Sequence, residues 1–248
     1  MTSILYEHPL NERIRNYLKI EQLFTQSTDA LRQSMVMSHN LFFPSLFSII
    51  DNLDRGDIRG DLIKDLEKLE QSLVIWSRIP DVDDKLITSN LNKTTTLSSQ
   101  LKKAYPAWLI LKNDKFLMTL KQRFSIQGGS SLFDLPQLQH WLNQTSEVIN
   151  NECQQWLSHL QQIDEAITLI LTFIRQQAHF ETIESESGFY QDNGEGLKLL
   201  RIKVSKNTDR YPTVSGNRYR YSIRFMSPCA ENGRKYSKQA ISFQLARC

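Results

Sequence analysis

Arg218-Tyr219-Arg220-Tyr221-Ser222-Ile223-Arg224-Phe225 decides the reading of the C-terminal fold. A period of two places Tyr219, Tyr221, Ile223 and Phe225 on one side and Arg218, Arg220 and Arg224 on the other, as in a half-buried β-strand. The apolar side is expected to face the core. The same period recurs upstream, where Leu200, Ile202 and Val204 alternate with Arg201 and Lys203. It recurs downstream, where Ile241, Phe243 and Leu245 alternate with Ser242 and Gln244. Gly216-Asn217 and Asn232-Gly233 supply turn chemistry between the three strands. The connections are too short for parallel crossovers, so the predicted sheet is antiparallel.

Before Phe180 the period is 3.6. Leu62, Leu66, Leu69, Leu73 and Trp76 follow one another at helical spacing, with Asp61 as the expected N-cap. This two-heptad stripe reads as a bundle helix facing a core, with an intermolecular coiled coil as the alternative. Asn11 or Glu12 opens a first helix that buries Ile14, Tyr17, Leu18 and Phe24 and exposes Arg15 and Lys19. Pro44 suits the first turn of the next helix, which Arg55-Gly56 ends. Pro80 and Asp84 separate the Leu62–Trp76 helix from one around Ile87–Tyr105, where the Thr- and Ser-rich 92–100 segment admits fraying or a loop. Further helices are expected over 114–124 with Asn113 as the cap, from Pro136 through Trp141, over 145–160 and over 163–177, with Gly128-Gly129 as a stop. The acidic Glu181–Glu186 stretch reads as a solvated linker. The prediction is an α+β protein: an N-terminal helical bundle domain (1–180) and then a C-terminal antiparallel β-sheet domain (181–248), with residues 3–7 as a candidate strand joining the sheet.

Composition limits the function classes. The chain has 248 residues, 40% apolar and 23% charged, enough to bury a full core without staples. No apolar run approaches the ~18–20 residues of a membrane span, and Met1–Leu10 lacks the pattern of a signal peptide. Cys153, Cys229 and Cys248 are far apart and without metal spacing, which suits reduced cytosolic thiols, with Cys153 as inert packing and Cys248 as a candidate exposed thiol. The net charge of +3 conceals an asymmetry. From Lys198 onward there are 12 basic and two acidic residues (+10), against −7 for the rest.

The arginine side of the 218–225 strand therefore faces outward. If Arg201 and Lys203 lie on a neighbouring strand, like charges oppose across the sheet at a cost in stability. A face kept against that cost points to an anionic partner, and arginine favours a bidentate carboxylate or phosphate. Nucleic acid is the alternative partner, disfavoured because the strand's aromatics lie inward, where they cannot stack on bases. No nucleophile elbow, zinc motif, phosphate loop or dinucleotide fingerprint occurs, and the five histidines are scattered. The expectation is a non-enzymatic protein without metal or cofactor. An enzyme with an unrecognised site remains a third reading.

Several longer strings carry a resemblance. They are Glu7-His8-Pro9-Leu10-Asn11-Glu12, Gly128-Gly129 with Phe133-Asp134-Leu135-Pro136, Gly188-Phe189-Tyr190-Gln191-Asp192-Asn193-Gly194, and Ile223-Arg224-Phe225-Met226. In this order, across essentially the whole chain, they resemble the ZapD family of bacterial cell-division proteins. The resemblance implies a cytoplasmic homodimer at the mid-cell division ring. Such a dimer binds the C-terminal tail of FtsZ, the tubulin-like division GTPase, and cross-links its filaments into bundles, with no enzymatic activity and no membrane insertion. It implies a basic tail-binding surface to which Arg55, Arg220 and Arg224 correspond directly. Lys19 and Lys115 stand where the family carries arginine, keeping charge but losing the guanidinium fork. His140 lies one residue from the family's histidine position and is a secondary candidate, as is Arg218.

Overall fold

In the computed structural model, residues 3–78, 84–103, 106–217 and 219–248 are described. Pro80, Tyr105 and Arg218 lie outside the described residues. The chain divides into two compact units, one of Lys19–Ile170 and one of Met1–Leu18 with Leu171–Cys248.

Helices occupy the N-terminal part of the sequence. Helix α1 (Glu12–Leu31) starts where Asn11 Oδ1 accepts from the Ile14 N–H at 2.9 Å. Helix α2 (Met35–Arg55) carries Pro44 well inside it rather than in its first turn. It buries Phe42, Phe43, Leu46, Ile49 and Ile50 along one face, and this packing offsets the hydrogen bond that proline cannot donate. Helix α3 (Ile58–Trp76) begins one turn earlier than expected. Its N-cap is Asp57, which accepts from the Gly60 N–H at 3.0 Å, and Asp61 falls in the first turn. Leu62, Leu66 and Leu73 are buried within the chain, and α3 packs on α4 (Asp84–Lys103). The bundle reading of the leucine stripe holds, and these leucines have no surface to offer a coiled-coil partner. Arg59 fastens the pair, donating to the Leu101 and Lys102 carbonyls at the end of α4 at 2.6 and 3.2 Å.

The Thr-rich part of α4 is neither frayed nor looped. Thr94 and Thr95 donate to the carbonyls of Asn90 and Leu91 (2.7 and 3.0 Å), satisfying their hydroxyls inside the helix. A short helix the sequence did not signal, α5 (Trp108–Asn113), precedes α6 (Lys115–Phe124). The α6 cap is Asp114, not Asn113. Gly128 takes a positive φ of 77° in the turn that follows. After it come a 3-10 turn (Leu132–Asp134), α7 (Pro136–Leu142), α8 (Ser146–Ser158) and α9 (Gln161–Gln176). Phe42, Phe43, Phe116, Trp141 and Trp156 cluster in the helical unit with ring centroids 5.4–6.4 Å apart. Cys153 is buried beside them, and burial pushes its thiol up to about 12, so it is inert packing.

The strands are β1 (Ser3–Pro9), β2 (Glu181–Ser185), β3 (Phe189–Asn193), β4 (Leu199–Ser205), β5 (Tyr211–Gly216), β6 (Arg220–Cys229), β7 (Gly233–Tyr236) and β8 (Ile241–Arg247). All pairings are antiparallel. One sheet has the order β1-β4-β8-β2, and the other has β3-β6-β5 with β7 also on β6. The alternating apolar residues of β4, β6 and β8 form one core between the sheets, with Phe225 and Phe243 at 5.0 Å. The predicted linker at 181–186 is instead largely edge strand β2. Its polar alternation conceals a strand because only Ile183 and Ser185 turn toward protein. Cys248 is buried rather than exposed; its backbone pairs with Lys198 and Leu199.

Arg247 joins the two sheets. From β8 it donates to the hydroxyls of Tyr221 on β6 (3.1 Å) and Tyr190 on β3 (2.8 Å), and it ion-pairs with Glu181 and Asp192 (2.6 and 3.3 Å). Arg247→Leu leaves the two hydroxyls and Asp192 without this partner. We expect a loss of about 2 kcal/mol, read as a lower urea midpoint at unchanged slope. The Tyr190 hydroxyl, the Asn193 N–H and the Arg247 charge hold the Asp192 carboxyl below its ordinary range. That contribution is present at neutral pH and is lost as pH falls through the folded-state pKa.

Candidate functional site

Strand β6 presents Arg220 and Arg224 outward while Tyr221, Ile223 and Phe225 are buried beneath. The register gives each arginine its neighbours: Asn193 lies across from Arg220, and Phe189 and Thr213 flank Arg224 on either side. Four residues of strand separate the two arginines by about 13 Å. Ser222, Ser215 and Gln191 lie between them on the same face. The Asn217 side chain fixes the start of the strand by accepting from the Tyr219 and Arg220 N–H groups at 2.9 and 3.1 Å. Among the described residues neither Arg220 nor Arg224 enters an ion pair.

Three expectations for this face change. Arg201 and Lys203 lie on β4, in the other sheet. No like-charge ladder therefore runs between β4 and β6, and the expected cross-strand repulsion between them is absent. Arg201 is instead neutralised, with Nε 3.0 Å from Glu7 and Nη1 donating to the Arg175 carbonyl at 3.1 Å. Lys203 lies 3.8 Å from the centroid of the Phe180 ring. Tyr219, expected in the core, is 57% exposed, because β6 begins only at Arg220.

The face also carries aromatics that the sequence reading missed. Phe189 and Tyr236 are 39% and 61% exposed, and their ring centroids lie 5.1 and 4.7 Å from the Arg224 guanidinium carbon. Alternation within β6 could not find them, since they reach Arg224 from β3 and β7. The only sequence signal was the Gly188–Gly194 run, which contains Phe189.

The remaining candidates lie in the helical unit and are all exposed. Lys19 is on α1, Arg55 ends α2, Lys115 opens α6, and His140 on α7 contacts Gln144 at 3.2 Å. Two ion pairs tie the last turn of α2 to α5 and α6: Asp54 with Lys112 at 2.7 Å, and Asp51 with Lys121. They neutralise those lysines and place Arg55 and Lys115 on one α2–α5–α6 assembly. Lys115 sits in the first turn of α6, where the helix dipole disfavours a cation. Among the described residues neither Arg55 nor Lys115 is ion-paired. Beside them Phe47, Ile50, Leu117 and Met118 line a groove of ≈ 360 Å³ rimmed by Lys112 and Lys121. Its walls come from three helices, so no single stretch of sequence signalled it.

Catalytic constellations are weakly represented. The cavity of ≈ 690 Å³ at α5–α8 holds Glu152, but Trp141 Nε1 donates to that carboxylate at 2.5 Å. Asp114 on the same wall is committed to capping α6. Among the described residues no cluster of three His, Cys, Asp or Glu side chains is placed to hold a metal ion. No helix among them is long and apolar enough to cross a membrane.

Comparison with known proteins adds the lineage. A family model described as ZapD, cell division protein, matches residues 18–224. Cell division protein ZapD of Yersinia enterocolitica is 38% identical over 247 residues, spanning 100% of this chain and 98% of the relative. That of Idiomarina loihiensis is 40% identical over 247 residues, spanning 99% of this chain and 96% of the relative.

Proposed function

The chain belongs to the ZapD family of cell-division proteins, and from this membership we propose that it binds the C-terminal tail of FtsZ and, as a homodimer, cross-links FtsZ filaments at the mid-cell division ring. The observation that carries the reading is the outward pair Arg220 and Arg224, which no carboxylate among the described residues neutralises. An acidic tail segment supplies the missing charge, and the guanidinium forks take carboxylates edge-on. Arg55 and Lys115, with Lys19 and the secondary His140 and Arg218, extend the basic set. The protein acts as an adaptor, with neither a catalytic step nor a cofactor, in the cytoplasm.

The mechanism is avidity. One tail on one basic surface is a weak contact, screened over ~8–10 Å at physiological salt. A dimer offers two such surfaces to filaments that display many tails, and the second contact then forms at mM-order effective concentration. Pelleting of polymerised FtsZ, with and without its C-terminal tail, at low and high salt tests this. The expected result is bundling that needs the tail and weakens with salt. Absence of bundling with intact FtsZ at low salt rejects the adaptor reading.

One observation favours the second reading, a nucleic-acid surface. Phe189 and Tyr236 bring aromatic rings onto the basic face, which is where stacking on bases would need them. Single-stranded DNA in the same binding assay separates the two: retention of DNA without retention of the tail supports the second.

A further inference from the structure

We propose that Phe189 and Tyr236 are positioning residues: they hold Arg224 upright between two rings so that its N–H edges meet a carboxylate of an acidic peptide. This rests on the tail-binding reading above. The two rings reach Arg224 by an unusual route. Strand β3 pairs with β6 up to Arg224, and β7 pairs with β6 from Met226 onward, so two short strands share one edge of β6. They meet at Phe225, whose N–H donates to the Gly188 carbonyl at 2.8 Å and whose carbonyl accepts from the Ser237 N–H at 2.9 Å.

Gly188 makes that junction possible. Its φ is +66°, and a Cβ there would stand 2.5 Å from the Ser237 carbonyl oxygen. A side chain would push the two strands apart. With glycine, Phe189 stands directly across from Arg224, and Tyr236, across from Met226, stands diagonal to it. On the other side the Thr213 hydroxyl donates to the Arg224 carbonyl at 2.8 Å and steadies the strand.

The consequence is preorganisation. A solvated arginine loses rotamer freedom when it binds, and one already held between rings loses less. Rings over the guanidinium leave its hydrogen-bonding edges open, which favours a planar, bidentate acceptor over a point charge. Two large rings left exposed on a sheet face are costly surface, and the group they meet is Arg224.

The test is fluorescence-anisotropy binding of a labelled FtsZ C-terminal tail peptide to the full chain. Phe189→Leu and Tyr236→Leu are each expected to weaken binding about two- to fivefold. The double variant should approach Arg224→Ala, and Phe189→Tyr with Tyr236→Phe should stay within about twofold of the parent, because the rings are kept. Adding the double leucine change to Arg224→Ala should weaken binding no further, which a merely structural effect would do. The proposal is overturned if the double variant binds like the parent while Arg224→Ala does not. It is equally overturned if the leucines cost as much without Arg224 as with it. Parent-like binding by Arg224→Ala is a different failure: it removes the tail-binding role of this arginine itself.

Discussion

With Arg220→Glu or Arg224→Glu in place, polymerised FtsZ stays unbundled at salt concentrations where the parent protein pellets it, and the variant still melts within about 2–4 °C of the parent. Each reversal acts twice. It removes a charge-assisted hydrogen bond, worth about 1.5–3 kcal/mol, and it sets a carboxylate against an acidic tail, at about 1 kcal/mol for near charges in water. A swing of about 3 kcal/mol is on the order of a hundredfold in affinity. Bundling needs two tails held at once, so the loss is felt at both sites of the dimer. The fold has little stake in either side chain, since both are exposed and neither is ion-paired among the described residues. Arg224→Glu also gives up its contacts with Phe189 and Tyr236, about 0.5–1 kcal/mol at an exposed site. Arg224→Lys should fall between parent and reversal, keeping charge without the fork. Parent-like pelleting by both reversals would remove these residues from the tail site.

How much of this surface the sequence disclosed depends on how local each feature is. The strand β6 alternation is local, so the outward direction of Arg220 and Arg224 was legible from residues 218–225 alone. The partners of that strand are not local. The same alternation placed Arg201 and Lys203 outward on β4, and it could not say that β4 belongs to the other sheet. Edge strands β2, β3, β5 and β7 escaped notice because short strands with little buried apolar content carry a weak periodic signal. Caps were misjudged by a residue or a turn, as Asp57 for Asp61 and Asp114 for Asn113, because two adjacent acceptors can each open a helix and packing selects one. The family strings fared differently. The Gly188–Gly194 run now has a physical reason at its first residue, a glycine where two strands converge.

The same distinction between fold and function governs Glu7, in the first of those strings. Glu7 on β1 accepts from Arg175 Nε and Nη2 at 2.9 and 2.7 Å and from Arg201 Nε at 3.0 Å. All three side chains are less than a quarter exposed. Arg201 thus belongs to the interior, although its sequence pattern matches that of Arg220. Glu7→Ala removes the carboxylate that two largely buried guanidiniums share. Removing one partner of a buried pair typically costs 3–5 kcal/mol, and partial exposure brings the expectation to about 3 kcal/mol. Glu7→Gln keeps an acceptor but not the charge and should cost less. Stability should be read by urea unfolding, and tail binding should be measured under conditions where the variant is folded. The expected result is a large fall in stability with tail affinity unchanged, the mirror image of the Arg224 reversal. A Glu7→Ala protein as stable as the parent would mean that the arginines' other partners or water compensate the loss. One that is stable but fails to bind the tail would place the Glu7–Arg175–Arg201 network in the functional surface after all.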